Sequence, residues 1–175
     1  MADRILTVFS KVSARTDLEY WIDSATLMMG VYGVYSERKS YNICILDYDE
    51  YDFLDMRYSL SEFGFDIMSY EGGYKIVEKM NYRPVTEHDT ITNKIYGDNN
   101  DNATCLNIIV TTKSENNIIY KNPALQKKWH KNFHDESNLF PLKIYKIKEN
   151  YLKGPKNPMP YINRVFAPSK NQKSK

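Results

Sequence analysis

Residues 20–52, YWIDSATLMMGVYGVYSERKSYNICILDYDEYD, constrain this chain more than any other stretch. LEYWID, residues 18–23, is rich in aromatic and β-branched side chains and reads as a short strand. Ser24 supplies a turn and an N-cap, and residues 26–31 follow as a helix. Gly30 and Gly33 then loosen the chain into the polar linker SERKS, and YNICIL, residues 41–46, reads as a buried strand. A strand–turn–helix–strand unit is a common way to set backbone N–H groups under a phosphate and carboxylates beside a metal ion. Here the scaffold is complete, but the carboxylates are missing from the positions such chemistry uses.

The rest of the chain supports one domain built on that unit. Residues 4–14 form an amphipathic helix with Ile5, Val8, Phe9 and Val12 on one side. Asp47, Asp49 and Glu50 suit a helix N-terminus, where negative charge meets the positive end of the dipole, and the helix spans residues 49–63 until Gly64 ends it. Residues 65–70 and 74–78 read as a hairpin around Glu71-Gly72-Gly73. Residues 84–104 lose periodicity and end in the loop GDNNDN. Residues 106–111 and 117–120 are strands about the turn KSENN, and Pro123 opens a basic helix to His134. Residues 140–147 form a strand, and a short helix starts at Pro160. Residues 1–168 are thus one α/β (α+β) domain, followed by a disordered basic tail over residues 169–175.

The composition narrows the function classes. A net charge of +2 is too mild to imply nucleic acid. No apolar run reaches the ~18 residues that read as a membrane-spanning helix, and the amphipathic N-terminus is not a signal peptide. Two cysteines, Cys44 and Cys105, suit buried thiols in a reducing compartment, hence the cytoplasm or a virus particle assembled there. The AT-rich codon usage suggested by fifteen Tyr against seven Gly fits a large DNA virus or a parasite-like genome.

WIDSATLMMGVYG followed by YNICILDYDEYDFL resembles the LicD/fukutin-like group of the nucleotidyltransferase-fold superfamily. That group's pattern is an aromatic-Leu-Asp-Ser-Gly-Thr-Leu-Leu-Gly-x-x-Arg stretch, then an Asp-x-Asp-Ile-Gly-Ile-Leu strand and an acidic helix. LFPLKIYKIKENYLKGPKNPMPYINRVF is similar to its closing segment, so the likeness covers roughly residues 16–63 and 138–166. The resemblance implies a nucleotidyltransferase-like mixed sheet flanked by helices. It also implies Mg²⁺-dependent transfer of a phospho-group, such as phosphocholine or a sugar phosphate, from a nucleotide donor to a glycan.

Residue by residue, the likeness is incomplete. Asp23, Ser24, Thr26, Leu27 and Met28 fit the turn, with Ser24, Ala25 and Thr26 as the phosphate-turn candidates. Ala25 stands where the group has Gly, Met29 replaces another Gly, and Tyr32 falls where Arg is usual. The acidic pair falls on Ser40 and Asn42 in one register and on Asn42 and Cys44 in the other, and the third acid falls on Asn107. Asn keeps the shape of Asp but removes the anionic ligand that Mg²⁺ needs. Asp47 and Asp49 are the stand-in ligands if a metal binds, although starting and solvating the next helix is the better account of them.

Other constellations have plainer readings. His130 and His134, four apart on the expected helix, are half of a zinc site, and His88 is too remote to complete it. Lys127, Lys128, Trp129, His130 and Lys131 could touch phosphates or form a solvated face. Residues 98–102 resemble a calcium loop in composition only. The tyrosines at 20, 32, 35, 41, 48, 51 and 58 serve packing or a carbohydrate or nucleobase platform. The reading that follows is a degenerate LicD-like protein without metal-dependent catalysis or a cofactor, acting in binding, structure or assembly through protein partners or self-assembly. It leaves room for a nucleotide or glycan ligand. The alternatives are an active Mg²⁺-dependent phosphotransferase and, more remotely, a nucleic-acid-binding module.

Overall fold

A computed structural model describes residues 2–35, 40–79 and 104–167. The expected linker residues 36–39, the loop GDNNDN, His88 and the basic tail lie outside them. In the described part, β2 (Ser40–Leu46) and β5 (Cys105–Ser114) run parallel at the centre of a mixed sheet. β1 (Tyr20–Ile22) flanks β2 antiparallel, and the hairpin of β3 (Phe65–Tyr70) and β4 (Gly73–Glu78) flanks β5, giving the order β1-β2-β5-β4-β3. Beyond the end of β4, β6 (Asn117–Tyr120) pairs with β5 and carries β7 (His134–Asp135). A separate antiparallel pair, β8 (Lys143–Ile147) and β9 (Asn150–Gly154), closes the second half of the chain.

Both faces of the sheet are covered, which is why YNICIL is nearly continuous in apolar residues. Tyr41, Ile43 and Ile45 enter one core with Leu106, Ile108, Val110, Ile76 and Ile67. Helix α1 (Ala2–Ser13) adds Ile5, Leu6, Val8, Phe9 and Val12 to that core, as its periodicity requires. Cys44 and Leu46 point the other way, into a smaller cluster with Trp21, Ile109, Ile118, Tyr120 and Leu139. The lower part of that second face, from Ser40 to Asn42 and from Cys105 to Asn107, is half-buried and polar.

Helix α2 (Ser24–Tyr32) follows β1 and ends on Gly33 in the left-handed conformation. Its N-cap is Asp23 rather than Ser24; Ser24 itself sits at φ 51, and the Asp23 side chain makes no capping bond. The helix expected over residues 49–63 is three pieces: a 3₁₀ turn (Asp47–Asp49), α3 (Glu50–Asp55) and α4 (Arg57–Glu62). Met56 is buried, and its N–H donates to the Phe53 carbonyl, so the chain tightens there to keep Phe53, Met56 and Leu60 on the core.

The basic helix also stops short. α5 (Pro123–Lys128) ends before His134, because the Lys127, Lys128, His130 and Lys131 segment is exposed and has no apolar stripe to bury. Asn122 caps α5, accepting from the Ala124 and Leu125 N–H groups. The strand expected over residues 140–147 begins only at Lys143. Glu136–Leu139 is instead the short α6, and Pro141 lacks the N–H that a paired strand needs. Helix α7 (Met159–Phe166) completes the described chain.

Gly73 opens β4 at φ 142, and a Cβ there would lie 2.3 Å from the Ile108 carbonyl oxygen. Gly73→Ala is expected to cost about 3 kcal/mol or more, from backbone strain and the steric conflict with β5. Urea unfolding checks it, with a variant as stable as the parent as the contrary result.

Candidate functional site

The turn after β1 and the start of β2 meet side by side. The Asp23 N–H donates to the Asn42 carbonyl at 3.0 Å, and the Asn42 N–H donates to Thr26 Oγ1 at 2.8 Å. Parallel pairing then sets Asn42 opposite Asn107, and antiparallel pairing sets Lys75 opposite Asn107. One transverse row, Asp23, Asn42, Asn107, Lys75, therefore crosses four strand positions on the second face of the sheet. Sequence reasoning places the first three members near one another, and Lys75 is new. Its cue is the alternation in YKIVE, where Ile76 is core and its neighbours turn to the opposite face.

Asp23 is the one carboxylate of this row, and the fold consumes it. It is 1 % exposed. Its Oδ2 accepts from Ser24 Oγ at 2.9 Å, Tyr120 OH at 3.1 Å and Tyr161 OH at 3.2 Å. Its Oδ1 accepts from His134 Nε2 at 3.1 Å. Asn132 Nδ2 donates onward to the Tyr120 and Tyr161 hydroxyls, both at 3.2 Å. The Tyr161 ring stacks on His134 with centroids 4.2 Å apart.

Burial alone would push the Asp23 carboxyl up, but the bond and charge of His134, then the bonds from Ser24 and Tyr120, hold it below its ordinary value. Burial and the nearby Asp23 charge push the Cys44 thiol well up and keep it protonated. Burial and the same charge raise the Tyr120 and Tyr161 phenols, so both stay donors.

Asn42 and Asn107 bind each other. Asn107 Nδ2 donates to Asn42 Oδ1 at 2.9 Å, and Asn107 Oδ1 lies 3.7 Å from the Cys105 thiol that donates to it. Ser40 is half-buried at the start of β2 opposite Cys105, whereas Cys44 belongs to the apolar second cluster. The hydroxyls of the phosphate-turn candidates are engaged, Ser24 with Asp23 and Thr26 with the Asn42 backbone, and Ala25 is half-buried in the first turn of α2.

The donor set does not fit the Mg²⁺ ion that the resemblance implies. Its two facing groups are neutral amides already paired, and its one carboxylate has both oxygens occupied by O–H and N–H donors. Among the described residues no three His, Cys, Asp or Glu side chains come together as a metal cage. Asp47 and Asp49 lie past the far end of β2; five residues from Asn42 to Asp47 at strand rise is about 16 Å. Asp49 is buried with Oδ2 unpartnered, and burial, then the charges of Glu19 and Asp52, push it up to about 6. His130 is exposed in a turn while His134 is buried on Asp23, so they share no helix face and form no half-site for zinc. Trp129 is half exposed, with Lys128 Nζ 5.4 Å from its ring, on a solvated basic face.

With the geometry in view, comparison with known proteins agrees on the fold. The chain is similar to the aminoglycoside nucleotidyltransferase ANT(2'')-Ia, solved in complex with adenylyl-2''-tobramycin, at TM-score 0.50 and 9% identity, over 88% of this chain and 68% of that one. The fold is nucleotidyltransferase-like. In sequence the chain is 27% identical over 154 residues to the uncharacterized protein RP689 of Rickettsia prowazekii (strain Madrid E), covering 87% of this chain and 48% of that protein. It thus spans about half the length of that relative. No protein-family model matches the chain. Among the described residues no helix is long and apolar enough to cross a membrane.

Two substitutions test this electrostatic picture. Asp23→Asn strands a buried His134 and weakens three hydroxyl bonds, and is expected to cost about 3–5 kcal/mol in chemical denaturation. Because the native Asp23 acid is stronger than in the unfolded chain, its contribution is complete at neutral pH and is lost as pH falls below about 4. Asp49 has the opposite sign. Its native acid is weaker than in the unfolded chain, so its ionisation removes stability as pH rises from about 4 to 6. Asp49→Asn is expected to add about 1–2 kcal/mol at pH 7 and to flatten that part of the pH–stability curve.

Proposed function

We propose that the chain is a degenerate LicD-like member of the nucleotidyltransferase-fold superfamily that has lost metal-dependent catalysis and works as a binding or assembly protein. The observation that carries this reading is the 2.9 Å bond between Asn107 Nδ2 and Asn42 Oδ1. It occupies the facing positions on two parallel strands where the resemblance places carboxylates. Two ionised carboxylates could not share that contact without a cation between them, and two amides need none. Catalysis of phospho-group transfer depends on metal charge offsetting the charge that develops on the phosphate. Without that pair of anionic ligands, that contribution is gone while the strand pairing that sets the two positions face to face remains.

The second reading, an active phosphotransferase moving phosphocholine or a sugar phosphate from a nucleotide to a glycan, draws on the unpartnered oxygen of buried Asp49. It requires a metal at Asp47 and Asp49 to act on a phosphate bound about 16 Å away along β2, well beyond direct coordination. Lys127–Lys131 as a nucleic-acid face has no observation beyond its charge in its favour.

Electron paramagnetic resonance of Mn²⁺ distinguishes the readings. The parent protein is expected to leave the free-ion signal unchanged at micromolar Mn²⁺, and the Asn42→Asp, Asn107→Asp double variant to deplete it by creating the missing ligands. Depletion by the parent that disappears in Asp47→Ala or Asp49→Ala would restore the enzyme.

A further inference from the structure

The amide pair leaves a surplus of donors beside a lysine. Asn42 Oδ1 is used by Asn107, and Asn107 Oδ1 by the Cys105 thiol. The Asn42 amide N–H groups and the second Asn107 N–H have no partner among the described residues. On the adjacent strand, Lys75 is paired in register with Asn107, and its Nζ lies 5.2 Å from the centroid of the Tyr70 ring. Among the described residues no carboxylate forms an ion pair with Lys75. The Lys75 charge also reaches Cys105, where it opposes the upward push that burial gives that thiol. The nearest carboxylate of the row, Asp23, stands three strand spacings away, about 14 Å, with all its hydrogen bonds internal.

A patch of N–H donors and one ammonium, with each amide oxygen already accepting a bond, favours an oxyanion. A metal-binding carboxylate set attracts a phosphate only through the cation it holds. Here the protein supplies positive charge directly, and Lys binds phosphate as a point charge without demanding the geometry of a chelate. Tyr70 holds the ammonium from one side by cation–π attraction, which limits its wandering to solvent.

We propose that Lys75, Asn42 and Asn107 form a metal-independent subsite for the phosphate of a small phosphorylated ligand. This deepens the preceding reading and rests on it, because the subsite exists only if no metal occupies the row. The ligand is bound and not turned over: no bond is made or broken, and the ammonium offsets the charge of the bound phosphate.

Isothermal titration with ATP, CTP and inorganic phosphate in EDTA-treated buffer tests the proposal. ATP or CTP is expected to bind without metal, with Lys75→Met weakening the affinity about tenfold or more, equivalent to at least ~1.4 kcal/mol. Asn42→Asp is expected to weaken binding similarly by placing a like charge beside the phosphate, and a melting curve confirms that each variant is folded. Inorganic phosphate binding as well as the nucleotides identifies the phosphate alone as the ligand group; nucleotide binding without it shows that the base or sugar contributes. Metal-free binding unchanged in Lys75→Met overturns the subsite. No binding of any of the three probes, with or without Mg²⁺, also overturns it and leaves the loss of metal chemistry standing. Binding that appears only with Mg²⁺ overturns both.

Discussion

A carboxylate buried at the end of an edge strand must be satisfied from whatever packs around it, and Asp23 dictates much of this architecture. An isolated ionised carboxylate in the interior costs several kcal/mol even after relaxation. Here the compensating donors arrive from far apart in the chain: Ser24 in α2, Tyr120 at the end of β6, His134 in β7 and Tyr161 in α7. The second half of the molecule is thereby pinned against the turn after β1. The helix after Pro123 ends at Lys128, and the chain beyond it turns to bring His134 onto this acid.

That pinning bears on function. In a scaffold built to hold a metal between strands, acids beside the turn stay free to coordinate. In this chain the one acid of the transverse row is turned inward and saturated, and the two central positions are amides that satisfy one another. The positive charge that a metal would contribute has a counterpart in Lys75, one strand further along. Along the row the fixed groups thus run from one saturated carboxylate through two neutral amides to one ammonium.

Much of the fold was legible because burial on two faces leaves a strong mark. YNICIL and LNIIVT could only be central strands, and the apolar stripe of α1 could only be one face of a helix. The resemblance singled out Asn42 and Asn107 on separate strands, and the parallel pairing sets them face to face. Cys44 lies in apolar surroundings, and a side chain's environment cannot be read from its own strand. What stayed hidden depends on contacts distant in sequence. His134 carries no local sign that its partner is Asp23, and Tyr120, Asn132 and Tyr161 look like ordinary polar residues until the strands assemble. The breaks at Met56 and after Lys128 were hidden for the same reason, because tertiary packing overrides helical propensity there.

The proposed subsite would hold phosphate in this row of side chains without a metal. Crystals grown with a nucleotide and Mn²⁺, measured at the manganese absorption edge, test it most directly. The expected result is phosphate density against Lys75 Nζ and the Asn42 and Asn107 amides, with no anomalous peak between them. An anomalous peak coordinated by the nucleotide phosphates at Asn42 and Asn107 would contradict it.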